Sequence, residues 1–148
     1  MMGGRVTPAR MTLRAIVHAT EDIEKVKKAI ENVLGEKIEL KTVRTKGYFG
    51  NEITILSGEV SKKKAIINLL TKIFSEKTNY EFLLSTLDDR IDEKLRLYIR
   101  LDKQEAYRGE MIVTEGDDVI SLVISFNVYP KKKEILMKWL KELKKPHS

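Results

Sequence analysis

Two lysine triplets stand where a cation is out of place. Ser61-Lys62-Lys63-Lys64 and Tyr129-Pro130-Lys131-Lys132-Lys133 each follow a strand-like segment and open one of helical periodicity. The positive end of a helix dipole disfavours lysine there by about 0.3–1 kcal/mol per charge at low salt. Unpaired N–H groups flanked by ammonium ions do suit a phosphate. The opposing reading is that these long side chains bend into solvent at little cost. A second candidate is the row Arg96, Tyr98 and Arg100. Alternate strand positions share a face, so two guanidinium groups flank one ring that can stack on an unpaired base. The plain alternative is a solvated face with Tyr98 covering a helix. Arg14 and His18 make a similar row on the first strand if Thr12, Arg14 and His18 face outward. In the turn Gly47-Tyr48-Phe49-Gly50-Asn51, Tyr48 is the ring expected to make a binding contact and Phe49 the one expected to fold back over the core.

Catalytic chemistry is short of parts. With no cysteine there is no thiolate and no cysteine-ligated zinc, and the histidines are only His18 and His147. Asp88, Asp89, Asp92 and Glu93 form an acidic turn of the kind a hard cation can use, although such turns are more often solvated helix ends. His18 beside Glu21 and Asp22 is too small a set for a metal, and helix capping accounts for the acids. Asp102-Lys103-Gln104-Glu105 carries both signs but no nucleophile. A phosphate-cradling glycine loop, a nucleophile elbow and a paired-histidine motif are all missing from the sequence. The expectation is a protein that is not an enzyme and has neither metal nor cofactor.

The chain that must position these groups has 148 residues, 42% of them apolar, which fits one globular unit. We expect a flexible tail over 1–9 and a single domain over 10–145. No apolar run reaches the ~20 residues of a membrane helix. The first residues lack a secretory pattern, so a cytoplasmic location is expected. The net charge of +6 is uneven: +6 over residues 1–74, −5 over 75–118 and +5 over 119–148. Basic ends around an acidic middle can present one basic face to a polyanion, and a soluble surface clustered by chance is the bland alternative.

The elements follow from periodicity. Met11, Leu13, Ala15 and Val17 alternate as a strand. Thr20 is the expected cap of a helix with Ile23, Val26, Ile30, Val33 and Leu34 as its stripe, ended by Gly35. Strands are expected over Ile38–Thr45 and Glu52–Val60, then a helix capped by Ser61. A short helix around Phe82, Leu83 and Leu87 precedes the acidic turn. Leu95, Leu97, Ile99 and Leu101 mark the cleanest strand, with a short strand near Glu110–Thr114 after it. Glu115-Gly116-Asp117-Asp118 turns into a strand over Val119–Tyr129, and Pro130 opens the last helix. The order β-α-β-β-α-(α)-β-β-β-α predicts an α+β fold: one antiparallel or mixed sheet with helices packed on one face, leaving the other face at least partly open.

A set of ordered segments carries a family resemblance. They are Arg14-Ala15-Ile16-Val17-His18-Ala19-Thr20-Glu21-Asp22 with Lys25-Val26, Gly47-Tyr48-Phe49-Gly50-Asn51, Asp89-Arg90-Ile91-Asp92, Tyr98-Ile99-Arg100-Leu101-Asp102-Lys103-Gln104, Ala106-Tyr107-Arg108-Gly109, and Tyr129-Pro130. In this order, from about residue 11 to 143, the chain resembles small archaeal proteins described as predicted exosome subunits or RNA-binding proteins. The resemblance implies a fold similar to the ribosomal protein that binds 5S RNA, and a role in archaeal RNA processing or degradation. It names no catalytic residue. The family's turn more typically carries His-Tyr where this chain has Tyr48-Phe49, and Glu105 replaces a usually small residue. The expectation is therefore a non-catalytic RNA-binding protein, an adaptor for the exosome or other RNA-processing proteins. Lys62, Lys63, Lys64, Lys131, Lys132, Lys133, Arg96 and Arg100 would grip phosphates, and Tyr98 or Tyr48 would stack on bases. The alternative is a protein-interaction or dimerisation module, a homodimer included, that does not touch RNA.

Overall fold

A computed structural model describes residues 4–47 and 49–144; Tyr48, His147 and the extreme termini lie outside the described residues. The elements are β1 (Arg5–His18), α1 (Ile23–Leu34), β2 (Lys41–Lys46), β3 (Glu52–Val60), α2 (Lys63–Ser75), α3 (Lys77–Arg90), β4 (Arg96–Asp102), α4 (Lys103–Tyr107), β5 (Val119–Tyr129) and α5 (Lys133–Lys141), followed by a 3-10 turn over Glu142–Lys144. The strands form one five-stranded sheet in the order β2-β3-β1-β5-β4, so the fold is α+β. β2 and β3 are an antiparallel pair, with Lys41 opposite Ser57 and Lys46 opposite Glu52. Among the described residues no helix is long and apolar enough to cross a membrane.

Several expected boundaries move, each for a local reason. β1 begins at Arg5, so residues 5–9 are strand and not tail. The cap of α1 is Asp22 in place of Thr20: the turn closed by Glu21 N–H donating to the His18 carbonyl (2.9 Å) delays the helix, and the Asp22 carboxylate then accepts from Glu24 N (2.9 Å). Gly35 ends α1 at φ +75°, the left-handed conformation that a side chain resists. At α2 the N-cap is Lys62, not Ser61, and no side chain caps the helix. The helix before the acidic turn runs 14 residues, because Glu76 caps it by accepting from Asn79 N (2.7 Å), and it absorbs Asp88 and Asp89. The strand expected near 110–114 is a single bridge between Leu101 and Val113. Between β4 and that bridge α4 forms, capped by Asp102, which accepts from Glu105 N (2.8 Å). The last helix starts at Lys133 and not at Pro130, after a turn in which Lys132 N donates to the Pro130 carbonyl (2.8 Å).

Backbone contacts group the described residues into two compact units, and β1, β4 and β5 each lend residues to both. The first comprises 4–11, 60–99 and 123–144, and the second 12–59 and 100–122. In the first, α2, α3 and α5 bury Ile66, Leu70, Ile73, Phe74, Leu83, Leu87, Leu136 and Leu140, with the Phe126 and Trp139 rings edge to face at 5.8 Å. In the second, α1 packs on α4 and buries Val26, Ala29, Ile30, Val33 and Ala106. The inward rows of the second unit's strands, Leu13, Ala15 and Val17 on β1 and Ile120 and Leu122 on β5, are closed off from water. Their outward neighbours Thr12, Arg14 and His18 are exposed, so this side of the sheet is open.

Candidate nucleic-acid interface

In the first unit the lysine triplets lie at the starts of α2 and α5, as their spacing implies. Lys62, Lys63 and Lys64 are exposed, as are Lys131 and Lys132. Lys133 is engaged: its ammonium donates to the Asp88 carbonyl (2.7 Å) and pairs with the Asp88 carboxylate (3.1 Å). One member of the expected acidic turn therefore neutralises one member of a triplet.

Arg96 and Tyr98 are also engaged. Asp92 Oδ2 accepts from Arg96 Nε (2.8 Å) and from the Tyr98 hydroxyl (2.9 Å), while Oδ1 accepts from the backbone N–H groups of Lys94 (3.0 Å) and Arg96 (2.9 Å). Desolvation pushes the Asp92 carboxyl up, but these hydrogen bonds outweigh it and hold the pKa at about 2. The same hydrogen bond raises the Tyr98 phenol. Asp92 thereby organises the turn in which Leu95 takes φ 60°, a conformation that costs a branched residue about 1–2 kcal/mol. Asp92 is thus a structural clasp, while Asp88, Asp89 and Glu93 are exposed, the first two at the end of α3, as a solvated helix end implies. Arg96 and Tyr98 reach a nucleic acid only with Asp92 beside them.

Arg100, the third member of that row, belongs to the second unit. There it lines, with Arg14 and His18, a depression of about 380 Å³, which Arg96 and Tyr98 do not line. Its floor is Ile16, Val119 and Ser121, and its rim is Gly116, Asp117 and Asp118. The rim segment is tied back along β4: Thr114 N donates to the Arg100 carbonyl (3.0 Å) and Lys103 N to the Asp118 carbonyl (3.1 Å).

Beside the rim is the residue that sequence reasoning missed. The Lys103 side chain is 3% exposed, and its ammonium donates to three acceptors: the Ile16 carbonyl (2.7 Å), Glu21 Oε1 (2.8 Å) and Asp118 Oδ1 (2.7 Å). Three donors meet three acceptors, which is what a buried ammonium requires. Burial pushes Asp118 up, yet hydrogen bonds from Lys103 and Gln104 bring it below its ordinary value. His18, Glu21 and Asp118 present ligand atoms within 4.8 Å of one another, a spacing that suits a metal ion. The Lys103 ammonium already supplies the positive charge between the two carboxylates. A signal for it was available: Lys103 continues the buried alternation of Leu97, Ile99 and Leu101 along β4, so the next inward position is a lysine.

Segments that carry the family resemblance converge around this ammonium. Thr20, Glu21, Asp22, Lys25 and Val26 from the start of α1 face Lys103, Gln104, Tyr107 and Arg108 across a cleft of about 500 Å³. Asn32 on α1 holds the far wall by donating to the Ala106 (3.0 Å) and Tyr107 (3.1 Å) carbonyls.

A family model described as RNA binding matches residues 10–126. A Pyrococcus abyssi protein named as an RNA-binding protein is 36% identical over 148 residues, covering 95% of this chain and 96% of that protein. An uncharacterised Methanocaldococcus jannaschii protein is 44% identical over 131 residues, 82% of this chain and 87% of its own. Among solved structures, a DUF54 protein from Methanothermobacter thermautotrophicus superposes with a TM-score of 0.81 at 30% identity, over 94% of this chain and 99% of that one.

Proposed function

The chain belongs to the family whose model is described as RNA binding, and from that premise we propose that it binds single-stranded RNA without cleaving it, through the open sheet face of its second unit. One observation carries this reading: Arg14 from β1 and Arg100 from β4 flank a partly apolar floor of Ile16 and Val119 on an uncovered sheet face. Guanidinium groups pair with phosphates, and the floor between them takes the face of an unpaired base. In the first unit, the exposed lysines at the starts of α2 and α5 are a separate candidate for contacts to a phosphate backbone. A non-catalytic role is supported by where the acids are spent: Asp92 on Arg96 and Tyr98, Asp88 on Lys133, Glu21 and Asp118 on Lys103. The resemblance supports a finer reading, an adaptor that brings RNA to a processing or exosome-type complex in the archaeal cytoplasm.

The test is titration of a fluorescent single-stranded RNA at several salt concentrations, for the parent chain and for Arg14→Ser with Arg100→Ser. Each phosphate contact contributes about −0.7 to the slope of log K against log salt for single strands. Loss of two contacts flattens the slope by about 1.4 on the same scale. An affinity and slope unchanged in the double variant refute the sheet-face site, and no RNA binding at low salt refutes the RNA reading itself.

A further inference from the structure

We infer that the cleft between α1 and α4 in the second unit is a binding slot for one ribonucleotide base of the RNA, a site separate from the sheet face. The inference rests on the RNA-binding reading and adds to it a place where a single base is held. The cleft's composition is that of a base slot. Val26 and Ala29 make a buried apolar floor, and the Tyr107 ring, 41% exposed, forms one wall. Gln104 adds a hydrogen-bonding edge. A carboxylate only accepts, so the amide nitrogen of Gln104 is the atom that faces Asp118 Oδ2 (3.1 Å), and its amide oxygen remains as an acceptor for the amino or imino group of a base.

The charges distinguish a base from a bare phosphate. Lys25 places its ammonium 5.5 Å from the centre of the Tyr107 ring, and Arg108 lies along the same wall. An exposed cation on a ring is a weaker contact than a stacked base, so a base displaces Lys25 from the ring and leaves the ammonium close by for its phosphate. Glu21 and Asp22 also line the cleft, and Glu105 holds Arg108 at 3.0 Å. This balance of signs suits a neutral ring with one phosphate and disfavours a di- or triphosphate. The walls are pre-set: Asn32 fixes the end of α4 to α1, and Lys103 fixes its start to β1 and to Glu21. Volume agrees as well, since about 500 Å³ lies inside the usual range for small-ligand sites of about 300–1,000 Å³.

The experiment is an NMR titration of the ¹⁵N-labelled full chain with each of the four ribonucleoside monophosphates. The expected result is saturable shifts within residues 20–29 and 103–108, including the Gln104 side-chain amide. Tyr107→Leu weakens binding about ten-fold or more, while Tyr107→Phe, which keeps the ring, retains it. Shifts that are absent at millimolar nucleotide, or confined to Arg14, His18 and Arg100, overturn the inference, as does an unchanged affinity in Tyr107→Leu. The two readings fail separately. A chain whose oligonucleotide affinity depends on Arg14 and Arg100 but whose cleft stays silent to all four nucleotides loses only the base slot. Cleft shifts without oligonucleotide binding at low salt remove the RNA reading and leave the cleft a mononucleotide site, which overturns its place in RNA binding.

Discussion

Replacing Lys103 by methionine isolates what the buried ammonium contributes, because methionine keeps most of the stem's volume and removes the charge and its three donors. The partners left behind are unequal. Glu21 is 22% and Asp118 48% exposed, while the Lys103 side chain is 3% exposed. Breaking a fully buried ion pair by removing one member costs about 3–5 kcal/mol. Here both carboxylates retain some water, which lowers that figure, and the Ile16 carbonyl loses its donor, which raises it. The expected loss is about 2–4 kcal/mol. For a chain of this length that lowers the thermal midpoint by roughly 5–15 °C. Urea and thermal unfolding at pH 7, followed by circular dichroism, measure both quantities. The same substitution uncovers His18, Glu21 and Asp118, whose ligand atoms lie within 4.8 Å of one another, so millimolar Mn²⁺ raises the variant's midpoint and leaves the parent's unchanged. A variant within about 0.5 kcal/mol of the parent, the range of an inconsequential surface change, refutes the reading of Lys103 as the link between β1, α1 and the 114–118 segment.

Asp92 makes stability acid-sensitive in a defined window. Its carboxyl titrates at about 2 against an ordinary 3.8, so its contribution is complete above about 3.8 and lost as pH falls toward 2. Asp92→Asn is therefore less stable than the parent at pH 6, and the unfolding midpoints of the two proteins converge in acid. Lys62→Asp supplies the cap that α2 lacks, raising stability by about 0.5–2 kcal/mol in thermal melts. If Lys62 holds a phosphate, the same variant binds single-stranded RNA more weakly and with a flatter salt slope; equal affinity removes Lys62 from the interface. Gly35→Ala, at φ +75°, costs about 1–2 kcal/mol. Gly116→Ala has Thr114 Oγ1 as its nearest neighbour at 3.6 Å and stays within about 0.5 kcal/mol of the parent by the same urea assay.

Periodicity alone determined most of the architecture. Alternation in β1 and β4 named residues that are buried there, and Val26, Ile30 and Val33 of the α1 stripe named the helix face that closes the core. That success has a local cause, since burial on one face imposes a period that a sequence displays without knowledge of its partner elements. Boundaries were less legible because caps compete: Asp22 displaced Thr20, and Glu76 extended α3, through hydrogen bonds whose geometry depends on the preceding turn. The α4 helix has no counterpart in the expected element order, because five residues carry no full helical period.

The sequence also determined which residue types were available for RNA contact: arginines on alternating strand positions, lysines at two helix starts, and few parts for catalysis. Only the tertiary structure decided how each of them is engaged. It spends Lys133 on Asp88 and ties Arg96 and Tyr98 to Asp92, while Arg100, which donates to the Glu115 carbonyl at 3.5 Å, joins Arg14 around the open depression. It also sets Lys103 among acceptors from Ile16, Glu21 and Asp118, up to 87 positions away along the chain. A side chain's charge is written in the sequence, but whether that charge faces water, a ligand or a buried counter-charge is settled by residues far from it in the chain, because Coulomb attraction and desolvation depend on distance in space.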